Sequence, residues 1–377
     1  MKIAIGIDVH KEKCAAFAVF AGLGDPRPRH TAFLEKFNED FRRFPSDYAG
    51  MTALFERVRD HDAEVLIENS TKSHDIYWML TNLGLKVTVA HATDLYRITM
   101  SKTKNDDNDA RELAGYMRRR IMGENEFHES HIPSLETLKL REICRFTLND
   151  REELSALKRQ IRSHLLIRGW KLTREYKDIT SASALREIRA YRDPVLLLDS
   201  AKAESLKKRI RETEKVMRYM MRDDPVFDVI WSVTGFGILS ATYLTCMIDD
   251  ISRFGSGRSF SASMGLTPRL YESADKPKNC GISRRGDPAL RKLMCQATFV
   301  HVFRTDSPIA EKYRRLTSEG KHHNEAIVAC ANSMGRMIWK MVRDGRRYES
   351  GSEELAAARL EADSEDVFER MKEFVSH

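Results

Sequence analysis

Apolar residues in roughly the first 120 positions alternate between short β-branched runs and stretches with helical spacing. Strands are predicted over Lys2–Val9, Cys14–Ala21, Thr31–Phe37, Ala63–Ile67 and Lys86–Ala90. Helices are predicted from Asn38 through Phe44, around Leu54, and over His74–Leu83 and Asp109–Arg120. Three early strands followed by alternating helix and strand predict an α/β domain with a mixed sheet.

The pattern becomes purely helical from Ser134 onward. Large apolar residues recur mostly at three- and four-residue spacing from Leu135 to Leu165, and Gly169 ends the run. A second run over Leu196–Met221 has similar spacing, so the two runs predict an antiparallel helical hairpin or coiled coil. Further helices are predicted around Leu239–Met247, Pro288–Phe303 and Asn324–Val342.

The charge of the chain is concentrated in particular segments. Of 377 residues, 63 are Lys or Arg and 56 are Asp or Glu, which gives a formal net charge of +7. Residues 134–223 contain 22 basic and 14 acidic residues, residues 253–292 contain 9 and 3, and residues 352–377 contain 3 and 8. Two separate basic zones favour a nucleic-acid partner. Solvated helix faces rich in Lys and Arg are the ordinary alternative.

The sequence argues against the secreted, membrane-spanning, disordered and zinc-finger classes of protein. The longest apolar runs are far shorter than the ~20 residues that span a bilayer, and Met1 leads directly into a predicted strand rather than into a signal peptide. The six cysteines lack CxxC spacing, which argues against a zinc ribbon and predicts reduced thiols. We therefore expect a cytoplasmic protein that has no membrane partner.

Four carboxylates occupy positions that suggest a metal site. Asp8 ends the apolar run of the first strand, Glu68 ends the run Val65–Ile67, and Asp106 and Asp109 are three residues apart at a helix start. Clustered carboxylates need a cation, and hard oxygen ligands suit Mg²⁺. Two such ions stabilise the attacking and leaving oxygens of a phosphodiester displacement. Taken singly, each acid has an ordinary alternative, as a turn former, a helix N-terminal residue or part of a polar loop.

The segment Gly6-Ile7-Asp8 also resembles the opening of sugar-kinase and actin-like ATPase domains. Those domains follow it with a small Gly/Thr-rich phosphate turn, whereas Val9-His10-Lys11 follows here. The sequence contains no Walker A motif. Metal-dependent nucleic-acid chemistry is therefore favoured over ATP hydrolysis.

The C-terminal region contains candidate phosphate-binding groups. Backbone N–H groups in the turn Gly235-Phe236-Gly237 would suit a phosphate oxygen, and a tight turn without a ligand is the alternative. In the basic run that follows, a serine hydroxyl could bind a phosphate or attack one, because nearby cations stabilise both states. The residues alone do not choose among Ser261, Ser263, Ser273 and Ser283. The basic residues predicted to bind nucleic acid are Arg269, Lys276, Lys278, Arg284, Arg285 and Arg291.

These motifs, taken in order, resemble one known family. The matching segments are Ile5–Lys11, Ile67-Glu68, Lys104–Arg111, Ser232–Gly237, Gly265–Pro268, Tyr271–Ser273 and Ile282–Arg291. They resemble the DEDD transposases, the bridge-RNA-guided recombinases of insertion sequences, which are related to Piv-type DNA invertases. The resemblance runs in order from about residue 2 to residue 340.

The resemblance implies an α/β N-terminal domain with a RuvC-like ribonuclease-H fold, followed by two helical regions. The implied boundaries are 1–130 for the catalytic domain, 134–223 for an antiparallel coiled-coil linker, 224–350 for a mainly α C-terminal transposase domain, and 351–377 for an acidic tail.

The resemblance also implies a mechanism. By position, Asp8, Glu68, Asp106 and Asp109 would be the catalytic ligands of Mg²⁺, and Ser273 would be the nucleophile that becomes joined to a DNA phosphate. It implies a homo-oligomer, from dimer to tetramer, in which the acids of one subunit meet the serine of another. A structured guide RNA would select donor and target DNA.

Two segments depart from the family pattern. Ala274 follows Ser273 where glycine is usual, so this loop lacks the conformational freedom of glycine. After Glu68, the usual Thr-Gly-x-Tyr is replaced by Asn69-Ser70-Thr71-Lys72-Ser73-His74, which leaves the strand-to-helix turn undetermined by the family pattern.

The implied function is that of an RNA-guided DNA transposase of a bacterial insertion sequence. Two alternatives remain open. One is a junction-resolvase-like metal nuclease, which would hydrolyse DNA with water and form no protein–DNA adduct. The other is a structural nucleic-acid-binding protein with a degenerate ribonuclease-H domain, whose binding would be indifferent to Mg²⁺.

Overall fold

The computed structural model describes residues 1–91, 106–124, 127–271, 278–283 and 286–348. For residues 106–107, 268–271 and 278–281 the description is of the backbone. The chain divides into two compact units, of which the first is Met1–Pro133 and the second begins at Ser134. The acidic tail predicted for residues 351–377 lies outside the described residues. No helix in the described ranges has the length and apolar character that a bilayer crossing requires.

The first unit is built on a five-stranded sheet. Its strands are β1 Lys2–Val9, β2 Lys13–Phe20, β3 Phe44–Pro45, β4 Asp62–Glu68 and β5 Lys86–Ala90. Their order across the sheet is β3-β2-β1-β4-β5. β1 pairs with β2 in antiparallel fashion and with β4 in parallel, and β4 pairs in parallel with β5. The mixed sheet predicted from the sequence is therefore present.

Helices cover both faces of this sheet. They are α1 Pro28–Asp40, α2 Tyr48–Val58, α3 Ser73–Asn82 and α4 Asp106–Ile121. The isoleucines at positions 3, 5 and 7 of β1 are buried in one cluster with Phe37 of α1, Leu54 of α2 and Ile76 of α3. Ala4 and Leu66 are buried on the opposite face, in a cluster with Leu113 and Met117 of α4. The alternation along β1 therefore separates two cores, as the period-2 geometry of a strand requires.

The predicted third strand over Thr31–Phe37 is wrong, because this segment is part of α1. Leu34, Phe37 and Phe41 recur at three- and four-residue spacing and are all buried, which is the pattern of a helix. Pro28 stands at the first helical position, where its missing N–H costs nothing.

The predicted helix from Asn38 through Phe44 is also wrong. Asn38 lies inside α1, and Phe44 begins the two-residue strand β3. The side chain of Asn38 pairs with the backbone of β2: its Oδ1 accepts from Ala18 N at 2.7 Å and its Nδ2 donates to Ala18 O at 3.2 Å. This side chain serves as a substitute strand partner rather than as a helix cap.

The second unit is mainly helical. Its helices are α5 Leu135–Ile167, α6 Ala182–Ala190, α7 Pro194–Met220, α8 Pro225–Trp231, α9 Ile238–Ile248, α10 Gly257–Ser263, α11 Pro288–Arg304, α12 Pro308–Ser318 and α13 His323–Asp344. A short 3₁₀ turn covers Ile251–Arg253, and β6 Pro268–Tyr271 pairs in antiparallel fashion with β7 Lys278–Ile282. The short helices α6, α8, α10 and α12 and the β6–β7 pair are absent from the sequence prediction.

Helices α5 and α7 form an antiparallel hairpin. Leu157 and Ile161 of α5 pack with Leu196 and Leu206 of α7 in a buried cluster. Charged pairs connect the outer faces, such as Lys202 Nζ with a Glu153 carboxylate oxygen at 2.7 Å. Arg209 also pairs with the buried Asp150 carboxylate through two hydrogen bonds. The helical hairpin predicted from the 3–4 spacing is present.

A buried histidine connects α11 to two neighbouring segments of the second unit. His301 is fully buried, with Nδ1 3.0 Å from Thr234 O and Nε2 2.8 Å from Ser307 Oγ. Its ring also contacts the Tyr348 ring, with centroids 5.5 Å apart. Burial lowers the pKa of His301 from its ordinary value of 6.5, so the folded protein holds the imidazole neutral.

This histidine should make the stability of the second unit depend on pH. Below about pH 6.5 the unfolded chain takes up a proton that the folded chain resists, so unfolding becomes easier as the pH falls, by at most ~1.4 kcal/mol per pH unit. Urea unfolding at pH 7.5 and 5.5 measures the loss. We expect a smaller loss in His301→Gln, and equal losses in the two proteins would contradict the assignment.

Candidate active site

Asp8 and Glu68 lie at the carboxyl ends of neighbouring parallel strands. The register of β1 and β4 pairs Gly6 with Leu66 and Ile7 with Ile67, so the next positions along the two strands are Asp8 and Glu68. Successive side chains of a strand alternate between the two faces of the sheet. Asp8 and Glu68 are therefore on the same face as the residues that contact α4. The strand ends therefore bring the two predicted acids to one edge and one face of the sheet.

Helix α4 approaches this face of β1 at Gly6. A Cβ atom at Gly6 would lie 2.2 Å from Ala110 O and 2.3 Å from Ala114 N, so glycine allows the helix to rest on the strand backbone. Leu113 and Met117 then fill the space over Ala4 and Leu66. This close contact fixes the distance of the helix from the strand that carries Asp8.

The first turn of α4 lies toward the end of β1 that carries Asp8. The Arg111 guanidinium lies 4.6 Å from the ring centre of Phe17, which pairs with Gly6 in the β1–β2 register. Three residues earlier, Asn108 lines a cleft together with Ala15, which is the cross-strand partner of Asp8. The backbone positions of Asp106 and Asp109 are in this same turn, so all four predicted acid positions lie at one end of the sheet.

The acids differ in exposure. Asp8 is largely buried, with 16% of its side chain exposed, and its Oδ2 is 3.1 Å from His10 Nε2. Glu68 is exposed and Asp109 is half-buried. The Asp106 side chain lies outside the described residues. Among the side chains that are described, no three His, Cys, Asp or Glu residues are close enough together to hold a metal ion.

The turn after Glu68 is built by polar side chains rather than by the glycine of the family pattern. Ser73 Oγ accepts from Ser70 N at 3.1 Å and donates to Ser70 O at 2.8 Å. Lys72 Nζ donates to Lys11 O at 3.0 Å and to Ser46 Oγ at 2.8 Å. Lys72 therefore fastens this turn to the β1–β2 turn, on the carboxyl side of Asp8.

The four candidate serines have different environments. Ser273 lies outside the described residues, between β6 and β7. Ser261 is fully buried and donates to Asn332 O at 3.0 Å, so it is a core residue. Ser263 donates to Phe260 O at 2.7 Å within its own helix, and Ser283 N donates to Thr267 O at 2.9 Å at the end of β7.

The predicted nucleic-acid-binding residues flank the same two strands. Arg269 lies in β6 and Lys278 in β7, and for both the structure describes the backbone alone. Lys276, Arg284 and Arg285 lie outside the described residues. The remaining residue, Arg291, is half-buried in α11, and its Nη1 donates to Met264 O at 3.4 Å.

The Gly235-Phe236-Gly237 turn has a packing role. A Cβ at Gly235, whose φ is +104°, would lie 2.2 Å from Ala297 O. Gly237 N donates to Ser240 Oγ at 3.0 Å, so a side chain already caps this helix end. These contacts favour the turn without a ligand over the phosphate-binding alternative.

Sequence reasoning missed the group of polar residues that supports the start of α11. Asp287 caps this helix by accepting from Ala289 N at 2.7 Å, and its other oxygen accepts from the Tyr243 hydroxyl at 2.6 Å. Burial raises the pKa of Tyr243 to about 12, so the phenol stays protonated and can donate. The Asp-Pro helix start was readable in the sequence, but a tyrosine 44 residues earlier gives no local signal.

Two family models match the chain in sequential order. The model of the IS110 DEDD transposases, described as a transposase, matches residues 5–167, and the model "Transposase IS116/IS110/IS902 family" matches residues 228–314. The first match contains all four candidate acids, and the second contains Ser273. Over these two ranges the chain is similar to the transposases of the IS110/IS116/IS902 family.

Curated relatives agree with these matches. The transposase of insertion sequence IS1328 from Yersinia enterocolitica is 30% identical over 138 residues, which cover 36% of this chain and 41% of the relative. The transposase of IS1111A from Coxiella burnetii is 31% identical over 33% of this chain and 34% of its own length. The putative transposase y4qE from Sinorhizobium fredii is 21% identical, over 92% and 90% respectively. The chain therefore matches less than half the length of the more similar relatives.

The contact between α4 and Gly6 predicts a destabilising substitution. Gly6→Ala would place a methyl group against the Ala110 carbonyl, and such overpacking costs about 1–3 kcal/mol. Gly115→Ala in the same helix is the matched control, because its Cβ meets only Arg119 Nη1 at 3.7 Å and alanine favours a helix by ~1 kcal/mol. Urea unfolding should give a lower midpoint for Gly6→Ala only. Equal urea midpoints for Gly6→Ala and the wild type would show that α4 does not rest on Gly6.

Proposed function

We propose that the chain is a DNA transposase of an insertion sequence and that it cuts and rejoins DNA through a composite site of carboxylates and a serine. The observation that carries the proposal is the convergence of the strand ends at Asp8 and Glu68 with the first turn of α4. Ordered matches to two transposase models support it.

We assign a RuvC-like ribonuclease-H fold to the N-terminal domain, residues 1–130. The strand order β3-β2-β1-β4-β5, in which only β2 runs antiparallel to the rest, supports this assignment. The hairpin within 134–223 serves as the coiled-coil linker, and 224–350 forms the C-terminal transposase domain, followed by the acidic tail.

Asp8, Glu68, Asp106 and Asp109 would hold Mg²⁺ in this proposal. Their carboxylate oxygens have the hard-donor chemistry that the ion prefers, and their backbone positions share one face of the sheet. When bound, the ion would supply charge stabilisation to a displacement at phosphorus. Gly6 and Lys72 position these acids, the first by admitting α4 and the second by fastening the turn after Glu68.

Ser273 acts as the nucleophile. Its Oγ forms a bond to a DNA phosphorus while one phosphorus–oxygen bond to the sugar breaks, and the proton lost by the serine is balanced by the proton that the departing sugar oxygen gains to become a hydroxyl. The reverse reaction with a different strand hydroxyl rejoins the DNA and restores the serine. Because the phosphodiester energy stays in the serine ester, no ATP is consumed.

The partners follow from the same assignment. The substrate is donor and target DNA, and a structured guide RNA selects both. The basic surplus of residues 134–223 supports binding of a polyanion by the hairpin. The acids and the serine come from different subunits of a homo-oligomer that acts in the bacterial cytoplasm.

Asp8→Asn should abolish excision. The substitution removes a ligand charge and keeps the size of the side chain, and we expect a loss of at least ~100-fold. The assay is formation of excised circles from a plasmid that carries the chain's gene with its native flanking DNA. Asp62→Asn, at the opposite end of β4 and exposed, is the control and should excise normally. Normal excision by Asp8→Asn would refute the metal site.

Ser273→Ala should abolish strand transfer and leave DNA binding intact. The wild-type protein should form a covalent adduct with end-labelled DNA that survives a denaturing gel, whereas Ser273→Ala should form none. Ser318→Ala removes an exposed hydroxyl elsewhere in the chain and should behave as the wild type. Cleavage without any adduct in the wild-type protein would instead support the metal nuclease that uses water.

A further inference from the structure

A groove runs along the outer edge of β2, beside the candidate acids. Its first part, about 480 Å³, is lined by Ala15, Phe17, Asn38, Arg42 and Arg111, among others. A second part of about 500 Å³ lies against Glu39, Arg42 and Arg43. A third of about 150 Å³ continues past Arg43 to His10 and Lys13. Shared walls make these one groove, called the basic groove here.

The charge of the groove suits a polyanion. Among the described residues that line it, four cations, Lys13, Arg42, Arg43 and Arg111, accompany one carboxylate, Glu39. All four cationic side chains are exposed at the surface. Arginine suits phosphate in particular, because its planar fork donates two hydrogen bonds at once.

The groove does not suit an added peptide strand. Ala16 N donates to Phe41 O at 2.9 Å, and Asn38 makes both hydrogen bonds of Ala18. These backbone groups of the β2 edge are therefore already paired, and strand addition depends on such groups being available.

The groove also leads to the acids. Ala15, in its wall, is the cross-strand partner of Asp8, and Asn108 directly precedes Asp109. At its other end, His10 Nε2 is 3.1 Å from Asp8 Oδ2. A chain of phosphates that followed the groove would pass the candidate site along its length.

We infer that the basic groove holds the sugar–phosphate backbone of the DNA strand that is cut, with Arg42 and Arg43 as its central phosphate contacts. The inference rests on the proposed transposase function and adds to it the path of the substrate. Neither arginine belongs to the basic residues of the β6–β7 region, so the groove is a separate contact surface.

Binding of a fluorescent 40-nucleotide single strand of mixed sequence by the full-length protein, in EDTA and over a range of salt concentrations, tests the groove. In Arg42→Ala/Arg43→Ala the slope of log Kd against log salt should fall by about 1.4, because each phosphate contact to a single strand contributes about 0.7. Arg29→Ala/Arg59→Ala removes two exposed charges of the same domain outside the groove and should keep the wild-type slope. Arg42→Lys/Arg43→Lys should restore most of the slope, which a purely structural role would not do.

An unchanged slope in the alanine variant would overturn the inference. So would a loss of affinity for an RNA of the same length without a loss of affinity for the DNA strand. Because binding is measured without Mg²⁺, its outcome is independent of the excision assay. An active Asp8→Asn variant would refute the metal site and leave the groove result standing, whereas an unchanged slope would refute the groove alone.

Discussion

The contact between α4 and the backbone of β1 at Gly6 is the constraint on which the candidate site depends. Asp8 is carried by the strand, and Asp106 and Asp109 are carried by the helix, so their separation is set by how closely the two elements pack. Any side chain at position 6 would hold the helix away from the strand. The apolar residues Leu113 and Met117 then keep the helix in place by burial.

The apolar residues that hold α4 and the carboxylates at the sheet edge are separate groups of residues. The core beneath the acids is apolar and is complete without them, since Ala4 and Leu66 are covered by α4. The carboxylates stand at the edge, where Asp8 is largely buried and Glu68 is exposed. The carboxylates therefore lie outside this apolar cluster, at the edge of the sheet.

The sequence was informative where periodicity was strong. The bounds of β1 and β5 agree fully with the prediction, and β4 and the two long helices of the hairpin agree to within a few residues, because burial on one or two faces imposes a regular pattern. The segment Thr31–Phe37 was misjudged because its β-branched and aromatic residues have strand propensity, and the tertiary burial of Leu34 and Phe37 overrode it. The role of Gly6 depends on a helix more than 100 residues away, and no local pattern reveals such a contact. Among the serines, Ser261 proved to be buried, which a seven-residue helix is too short to indicate by its spacing.

The length of the α5–α7 hairpin has a geometric consequence. Helix α5 has 33 residues and is therefore about 50 Å long at 1.5 Å per residue. Leu140 and Cys144 at its start belong to the large core of the second unit, whereas Leu157 and Ile161 belong to a separate cluster with α7. The far part of the hairpin is thus stabilised by a cluster of its own, to which Leu185 and Ile188 of α6 also contribute. At 3.4 Å per base pair, two duplex contacts at its opposite ends would be about 15 base pairs apart.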